Sequence, residues 1–342
     1  MTNRKVSTVL IVGLGSIGKK HLKQLREITS DLEIVALRRN GSSSLRYEGL
    51  NHLVSNLEEA LSFSPTVAIL CNPASKHIEI ASALVKEGVN ILIEKPISNS
   101  VQGVKELIDL SRQNKCKLMV GYNLRFSDSL IFFRNEIHKN LIGKLLSIRS
   151  EVGQHLSTWR PNSDYTQSVS AQKSLGGGVL LELSHEIDYL KWIFGSISQV
   201  FGHVSKVSSL KIDVEDVVHA IVKFNDNDIC SNLTANLSLD FVRQDPIRQC
   251  IVVGEEGTLK WNAINDEVLV YRNDKWELIY KSKQEPDYSY TNELLHFINC
   301  IEMNKEPSIT GQSALDTLHV IEAIRSSSKS NKIMKVDYKE ST

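Results

Sequence analysis

Short, uninterrupted apolar runs recur through the first third of the chain, separated by longer stretches with helical periodicity. A strand shows no polar alternation when helices cover both faces of a parallel sheet, and parallel strands need long crossover segments. We therefore expect a doubly wound parallel sheet of the Rossmann type over residues 1–122. Its predicted strands cover residues 9–12, 34–37, 67–71, 91–93 and 118–120.

The pattern changes after residue 122. A helix is predicted near residues 127–139, a strand near 146–152 and a helix over 179–194. Strand-forming runs then alternate with turn signals as far as residue 280, and two amphipathic helices near 287–303 and 313–326 follow. We expect residues 123–342 to form one α/β domain with a large, open, mainly antiparallel sheet.

An open sheet exposes one face to solvent. Covering that face with a second copy of the chain would remove a large apolar patch. We therefore expect a homodimer or a homotetramer.

Composition narrows the classes of partner. The chain has 342 residues, of which 41% are hydrophobic, and 40 basic residues balance 40 acidic ones. No overall charge favours nucleic acid or an anionic membrane. The five cysteines are widely spaced without a metal-binding pattern, which is typical of a reducing cytosol. We expect a cytoplasmic protein with neither of these partners and no bound metal.

A glycine loop follows the first predicted strand and begins a predicted helix. In the sequence Gly13-Leu-Gly15-Ser16-Ile17-Gly18, the first glycine permits a tight turn, the second lets the backbone approach a pyrophosphate, and the third allows close packing of helix on strand. The helix amides, including those of Ser16 and Ile17, then face the negative charge. This predicts a dinucleotide site; the alternative is an ordinary glycine turn.

The end of the second predicted strand bears on the choice of cofactor. NAD sites usually place a carboxylate there, but this chain has Arg38 and Arg39, and Glu33 lies at the opposite end of the strand. Two arginines suit the 2′-phosphate of NADP. We expect NADP(H) to be preferred, with NAD(H) and solvated surface arginines as the alternative.

Two more motifs carry candidate chemistry. Glu94-Lys95-Pro96 follows the strand predicted over 91–93, and a glycine triplet at 176–178 precedes Glu182, His185 and Asp188. With the glycine loop, these motifs resemble the Gfo/Idh/MocA family of glucose–fructose oxidoreductase-like and inositol dehydrogenase-like enzymes, over essentially the whole chain. The other matching segments, in family order, are Cys71-Asn72-Pro73 with His77 and Gly121-Tyr122-Asn123 with Arg125.

The resemblance implies substrate lying over the nicotinamide between the two domains. Lys95 matches a lysine that contacts the reacting hydroxyl and the nicotinamide ribose, and Pro96 shapes its turn. His185 matches a histidine proposed as general acid and base, and Asp188 orients or accompanies it. Further cofactor contacts are implied for Cys71, Asn72, Pro73, His77 and Glu94, and substrate contacts for Asn123 and Arg125.

One departure from the family concerns the partner of His185. The family commonly has an aspartate four residues before the histidine, whereas this chain has Glu182 three residues before it. Both spacings bring side chains together on a helix, so Glu182 is expected to support His185. The alternative is that Glu182 is a solvated helix residue and Lys95 an ordinary surface lysine.

The loop before the glycine triplet is a candidate substrate lid. Arg160 and Lys173 suit a carboxylate or phosphate, and Trp159 and Tyr165 suit a sugar face, although both aromatics would equally serve to anchor a long loop. With Arg125, these residues favour an acidic sugar. This loop, together with the segment Ser184-His-Glu-Ile-Asp-Tyr189, also resembles a subgroup associated with bacterial surface-carbohydrate pathways, including nonulosonate sugars.

The expected reaction is reversible hydride transfer between the nicotinamide and a hydroxyl-bearing carbon of a sugar. His185 would exchange the hydroxyl proton, and Lys95 would stabilise its oxygen. Two alternatives share the fold: a redox epimerase that retains its cofactor, and a non-catalytic regulatory protein that senses dinucleotides. A bilin or imine reductase is a more distant alternative.

Overall fold

The computed structural model describes residues 6–38, 47–159 and 163–339. The described residues form two compact units. The first comprises those up to Asn123 together with Asp287–Leu315, and the second comprises Leu124–Pro286 with those from Asp316 onward. The prediction assigned all residues after 122 to one domain, whereas residues 287–315 fold with the first unit.

The first unit contains a six-stranded parallel sheet in the order β3-β2-β1-β4-β5-β6. This confirms the Rossmann prediction, and β3 is an additional, three-residue edge strand that no apolar run announced. The order reverses between β1 and β4, which places the loops after these strands at one crevice. The strands are β1 Thr8–Val12, β2 Glu33–Leu37, β3 His52–Val54, β4 Val67–Leu70, β5 Asn90–Glu94 and β6 Leu118–Gly121; the helices between them are α1 Ser16–Ile28, α2 Leu57–Ser62, α3 His77–Lys86 and α4 Val104–Gln113.

The second unit contains a nine-stranded sheet in the order β14-β13-β12-β11-β7-β10-β9-β8-β15. Its pairs are antiparallel except that β7 runs parallel to β10, which confirms the predicted open, mainly antiparallel sheet. The strands are β7 Leu145–Gly153, β8 Ile197–Ser205, β9 Val217–Phe224, β10 Thr234–Asp240, β11 Ile247–Gly254, β12 Gly257–Asn262, β13 Glu267–Arg272, β14 Lys275–Lys281 and β15 Met334–Lys335.

Three helices of the second unit that precede β8 lie on one face of this sheet. They are α5 Asp128–His138, α6 Val179–Glu182 and α7 His185–Phe194. Trp261 is fully buried beneath them and donates from Nε1 to Oγ of Ser129 at 2.8 Å. Alternation along the strands leaves large apolar side chains exposed elsewhere in the sheet: Leu146, Phe201, Ile221, Tyr271, Trp276 and Leu278.

Two helices complete the fold, α8 Tyr288–Glu302 and α9 Gly311–Ser330. α8 packs on α1, where Lys20 Nζ lies 2.8 Å from a carboxylate oxygen of Asp287 and Nε2 of Gln24 donates to the Asp287 carbonyl. Amphipathic periodicity predicts such a helix but does not say which unit it covers. No helix in the described ranges is long and apolar enough to cross a bilayer.

A buried histidine makes the second unit sensitive to pH. His319 on α9 is 6% exposed and packs edge-on against Tyr338, and its Nε2 has no hydrogen-bond partner among the described residues. Burial lowers the pKa of His319, and the nearby Asp316 and Asp337 oppose that shift. Protonation would bury an unpaired donor and a charge, so the folded protein resists it.

We predict that the unfolding free energy falls as the pH is lowered from about 7.5 to about 5.5, because below about pH 6.5 the unfolded chain binds the His319 proton more readily. His319→Leu removes this contribution, so the fall becomes smaller. Urea unfolding at both pH values measures it. The control Tyr338→Phe loses a hydrogen bond to the Ile197 carbonyl and lowers stability equally at both. An unchanged pH dependence in His319→Leu would contradict the prediction.

Candidate active site

The glycine loop after β1 packs tightly against the loop after β4. Gly13 has a φ of +95°, and a Cβ there would lie 3.1 Å from the carbonyl oxygen of Cys71. A Cβ on Gly18 would lie 2.0 Å from the carbonyl oxygen of Gly13. Close backbone approach therefore excludes side chains at both positions.

The rim of the same loop is open. Within the described residues, nothing lies within 4 Å of the position that a Gly15 Cβ would occupy, and Ser16 is exposed. Gly15 caps α1 without a side-chain hydrogen bond, and the first helical turn has no acidic residue. Amides at a helix start attract anions. This end of α1, which includes Ile17, therefore fits the pyrophosphate of a dinucleotide.

Asn72 adds a polar group to this edge. Its Oδ1 is buried and has no hydrogen-bond partner in the described part of the chain, while its Nδ2 donates to the Pro73 carbonyl at 3.3 Å. The amide of Cys71 donates to Val12 and so fixes the segment beside the end of β1. A buried acceptor requires a donor, so Asn72 fits the polar part of a ligand.

Arg38 lies at the end of β2, where cofactor choice is expected to be made. Its Nη1 donates to the hydroxyl of Tyr47, and Nζ of Lys19 lies 5.6 Å from the centroid of the same ring. Two cations therefore surround one phenol. Sequence reasoning missed Lys19 and Tyr47, since Tyr47 follows a stretch with no strand or helix pattern. The second predicted arginine, Arg39, lies outside the described residues.

His77 connects the two loops that flank the candidate cofactor site. Its Nδ1 lies 3.0 Å from the Pro96 carbonyl and its Nε2 lies 2.8 Å from the Asn72 carbonyl. The side chain is 1% exposed, and burial lowers the pKa of His77. These contacts give His77 a role in holding the loops together.

Glu94 points into the interior of the first unit. One carboxylate oxygen lies 2.6 Å from Nε2 of His21 on α1, and a Cβ on Gly121 would lie 3.2 Å from the other. Lys95 is partly exposed, and the peptide bond between Lys95 and Pro96 is cis. Within this turn, Glu94 is therefore buried while Lys95 is partly exposed.

The thiol of Cys71 lies near this buried acidic group. Burial raises the pKa of Cys71 well above its ordinary value, and the charges of Glu94 and Glu293 raise it further. Because the thiolate is the reactive form, Cys71 is suited to packing beside Gly13 and unsuited to nucleophilic chemistry.

In the second unit, the glycine triplet brings the chain into close contact with Glu215. A Cβ on Gly178 would lie 2.5 Å from a carboxylate oxygen of Glu215, and that oxygen accepts from the Leu180 amide at 3.3 Å. Glu215 therefore caps the short helix α6. It was missed because a single glutamate between strands carries no local signal.

Glu182 and His185 do not share one helix. α6 ends at Glu182 and α7 begins at His185. The two residues were expected on one helix, whereas the structure places them on two helices separated by Leu183 and Ser184. Their pairing stays a prediction. Glu182 is partly exposed, whereas His185 is 7% exposed at the first position of α7.

Asp188 is held by Arg125 through two hydrogen bonds. Nε of Arg125 donates to Oδ2 at 2.8 Å and Nη2 donates to Oδ1 at 2.6 Å, with the side chains 10% and 2% exposed. This fork–fork geometry is strong. It fixes one turn of α7 beyond His185 and occupies much of the arginine that was expected to contact substrate.

The other expected substrate contacts divide between anchored and exposed positions. Nδ2 of Asn123 donates to Oγ of Ser289 at 2.9 Å. Trp159 donates to the Gln154 carbonyl, and the hydroxyl of Tyr165 accepts from the Lys211 amide, so both aromatics anchor their loop. Lys173 is exposed, and Arg160 lies outside the described residues. The described residues hold no group of three or more potential metal ligands.

Several known proteins are similar to this chain in sequence and in fold. The Lactiplantibacillus plantarum inositol 2-dehydrogenase/D-chiro-inositol 3-dehydrogenase is 24% identical over 92% of this chain and 88% of its own length. A levoglucosan dehydrogenase solved with NADH has a TM-score of 0.85 at 20% identity, covering 97% of this chain and 99% of the other. The WlbA dehydrogenase from Bordetella pertussis, solved with NADH and UDP-GlcNAcA, has a TM-score of 0.79 at 20% identity, covering 98% and 99%.

Family models decide the assignment. Residues 7–122 match the oxidoreductase family with an NAD-binding Rossmann fold, and residues 134–337 match the C-terminal alpha/beta domain of the same oxidoreductase family. The resemblance drawn from the motifs is confirmed, as is the predicted class of enzyme. The chain belongs to the Gfo/Idh/MocA family of NAD-binding oxidoreductases.

Proposed function

We propose that the protein is a sugar dehydrogenase or reductase that acts on a CH–OH group with NADP(H). The observation that carries the proposal is the open, uncapped start of α1 at Gly15, followed along the chain by Lys95 and His185 in the two family motifs. The inositol and levoglucosan dehydrogenases among its relatives support a polyol or sugar substrate. Five free thiols support a reducing, cytoplasmic location.

The proposed chemistry divides between two residues. The nicotinamide, when bound, supplies or accepts the hydride. Lys95 stabilises the oxygen of the reacting carbinol as negative charge develops, and His185 exchanges the hydroxyl proton. The Arg125–Asp188 pair fixes the first turns of α7 and with them His185. Glu182 contributes from the separate helix α6.

Preference for NADP(H) is the finer part of the proposal. Arg38 and Lys19 approach Tyr47 from two sides, and the sequence has no carboxylate at the end of β2. A 2′-phosphate suits two cations, whereas a ribose diol requires an acceptor. The alternative is a preference for NADH, the cofactor with which both relatives were solved.

Replacement of Arg38 tests the cofactor choice. Arg38→Ala should weaken NADPH binding by about tenfold or more and leave NADH binding within about twofold, because only the phosphate loses a charge-assisted bond. Fluorescence titration measures both dissociation constants after any retained cofactor has been removed by denaturing release. Arg112→Ala, at an exposed position paired with Asp109, is the control. Equal loss of both cofactors would contradict the preference.

The proposed substrate is a sugar or an acidic sugar derivative from bacterial surface-carbohydrate metabolism of the nonulosonate type. Exposed Lys173 supports an anionic group on the substrate, and the B. pertussis relative was solved with UDP-GlcNAcA. Because Arg125 binds Asp188, the charge of Lys173 carries most of this argument among the described residues.

Catalysis is tested with a panel of neutral and acidic sugars. Lys95→Met and His185→Ala should each lower kcat by about a hundredfold or more, with NADPH affinity within about threefold of wild type. Cofactor absorbance and product analysis are followed together. Lys105→Met, on the exposed surface of α4, is the control. Isomerised product without net absorbance change would favour the epimerase, and cofactor binding without turnover of any sugar would favour a regulatory protein.

We also propose that the chain forms a homodimer or homotetramer through the exposed face of the nine-stranded sheet. Trp276 and Leu278 are 47% and 55% exposed on β14, and Phe201 and Ile221 are 45% and 50% exposed as direct partners on β8 and β9. Side chains of this size at neighbouring positions favour burial against another copy.

Charge on this face should prevent assembly. We predict that the double variant Phe201→Glu/Trp276→Glu sediments as a monomer, whereas the native protein sediments as a dimer or tetramer, because buried carboxylates without partners oppose association. Sedimentation velocity measures the mass. Ile264→Glu, at an exposed turn position, should leave the native mass unchanged. Retention of the native mass by the double variant would place the interface elsewhere.

A further inference from the structure

Two buried histidines hold the turn that carries Lys95. His21 on α1 contacts the carboxylate of Glu94, the residue before the lysine. His77 on α3 contacts the carbonyl of Pro96, the residue after it. The residues on the two sides of Lys95 are therefore held by different helices, one through a side chain and the other through a backbone carbonyl.

The contact between His21 and Glu94 is short and buried. Nε2 and the carboxylate oxygen are 2.6 Å apart, and the two side chains are 0% and 11% exposed. Gly121 allows this arrangement, since a Cβ there would lie 3.2 Å from the other oxygen of Glu94. A hydrogen bond is strong and directional in such buried surroundings. Glu94 thus has one well-defined place between α1 and β6.

The orientation of the His21 ring is set by α8. Tyr290 meets the ring edge-on, with centroids 6.1 Å apart, and Asp287 binds both Lys20 and Gln24 on the same helix as His21. A residue late in the chain thereby fixes an imidazole that lies one and a half turns into α1. The first turn of that helix is the part that fits the cofactor phosphates.

We propose that His21 is a positioning residue for Lys95. Through Glu94, it connects the helix that binds the cofactor phosphates to the turn that presents the lysine, so that a bound cofactor and the reacting amine share one rigid support. This inference rests on the proposed role of Lys95 in the sugar reaction. It differs from a purely structural role, in which His21 would affect stability without affecting the lysine.

Three variants separate these roles. His21→Leu removes the contact with Glu94, and His21→Gln keeps an N–H donor near the position of Nε2. Arg26→Leu removes hydrogen bonds to the Gly49 and Leu32 carbonyls at the other end of α1, without touching α8 or Glu94. We expect His21→Leu to lower kcat by about tenfold or more with NADPH affinity within about threefold, and His21→Gln to recover most of that loss. Arg26→Leu should keep the native kcat even if it lowers the melting temperature.

A second measurement needs no sugar substrate. Acetylation of Lys95 in the NADPH-bound protein is followed by mass spectrometry, with Lys105 as internal reference. We expect the relative rate for Lys95 to change by about threefold or more in His21→Leu and to be near native in His21→Gln and Arg26→Leu. Native labelling in folded His21→Leu overturns the inference. Failure of every sugar to react, with altered labelling, refutes the proposed function and leaves the positioning role supported.

Discussion

The cofactor side of this protein depends on how closely the loop after β1 approaches the loop after β4. The space between Gly13 and the Cys71 carbonyl does not admit even a methyl group without displacement. This approach brings Asn72 to the open start of α1 and places Cys71 over buried carboxylates. Because both loops leave the carboxyl ends of neighbouring parallel strands, the constraint follows from the reversal of strand order at the centre of the sheet.

Around His185, buried acidic groups are matched by arginines. Asp188 and Glu186 lie on α7 with almost no exposure, and they bind Arg125 and Arg248, at 2.6 Å and 2.9 Å. Leaving one such carboxylate unpaired would be strongly destabilising, so each arginine is needed beside its carboxylate on α7. A substrate carboxylate would therefore have to compete with Asp188 for Arg125.

Sequence reasoning captured what depends on local pattern. Continuous apolar runs located the strands β1, β2, β4, β5 and β6, and turn signals between strand-forming runs located most of the open sheet. It failed where the answer depends on a distant partner. It did not predict that α8 packs in the first unit, or that a break between Glu182 and His185 separates α6 from α7. It also missed Tyr47, Glu215 and His21, whose contacts form only in three dimensions. The roles of Lys95 and His185 come from family resemblance and remain predictions.

The return of α8 to the first unit affects how the protein is made. Tyr290 and Asp287 contact α1, yet they are synthesised only after every strand of the second unit except β15. Domains usually fold in order as they emerge. Here the side of α1 that contacts α8 stays uncovered until most of the chain has been synthesised. The nucleotide-binding half, although encoded first, is therefore among the last parts of the molecule to be finished.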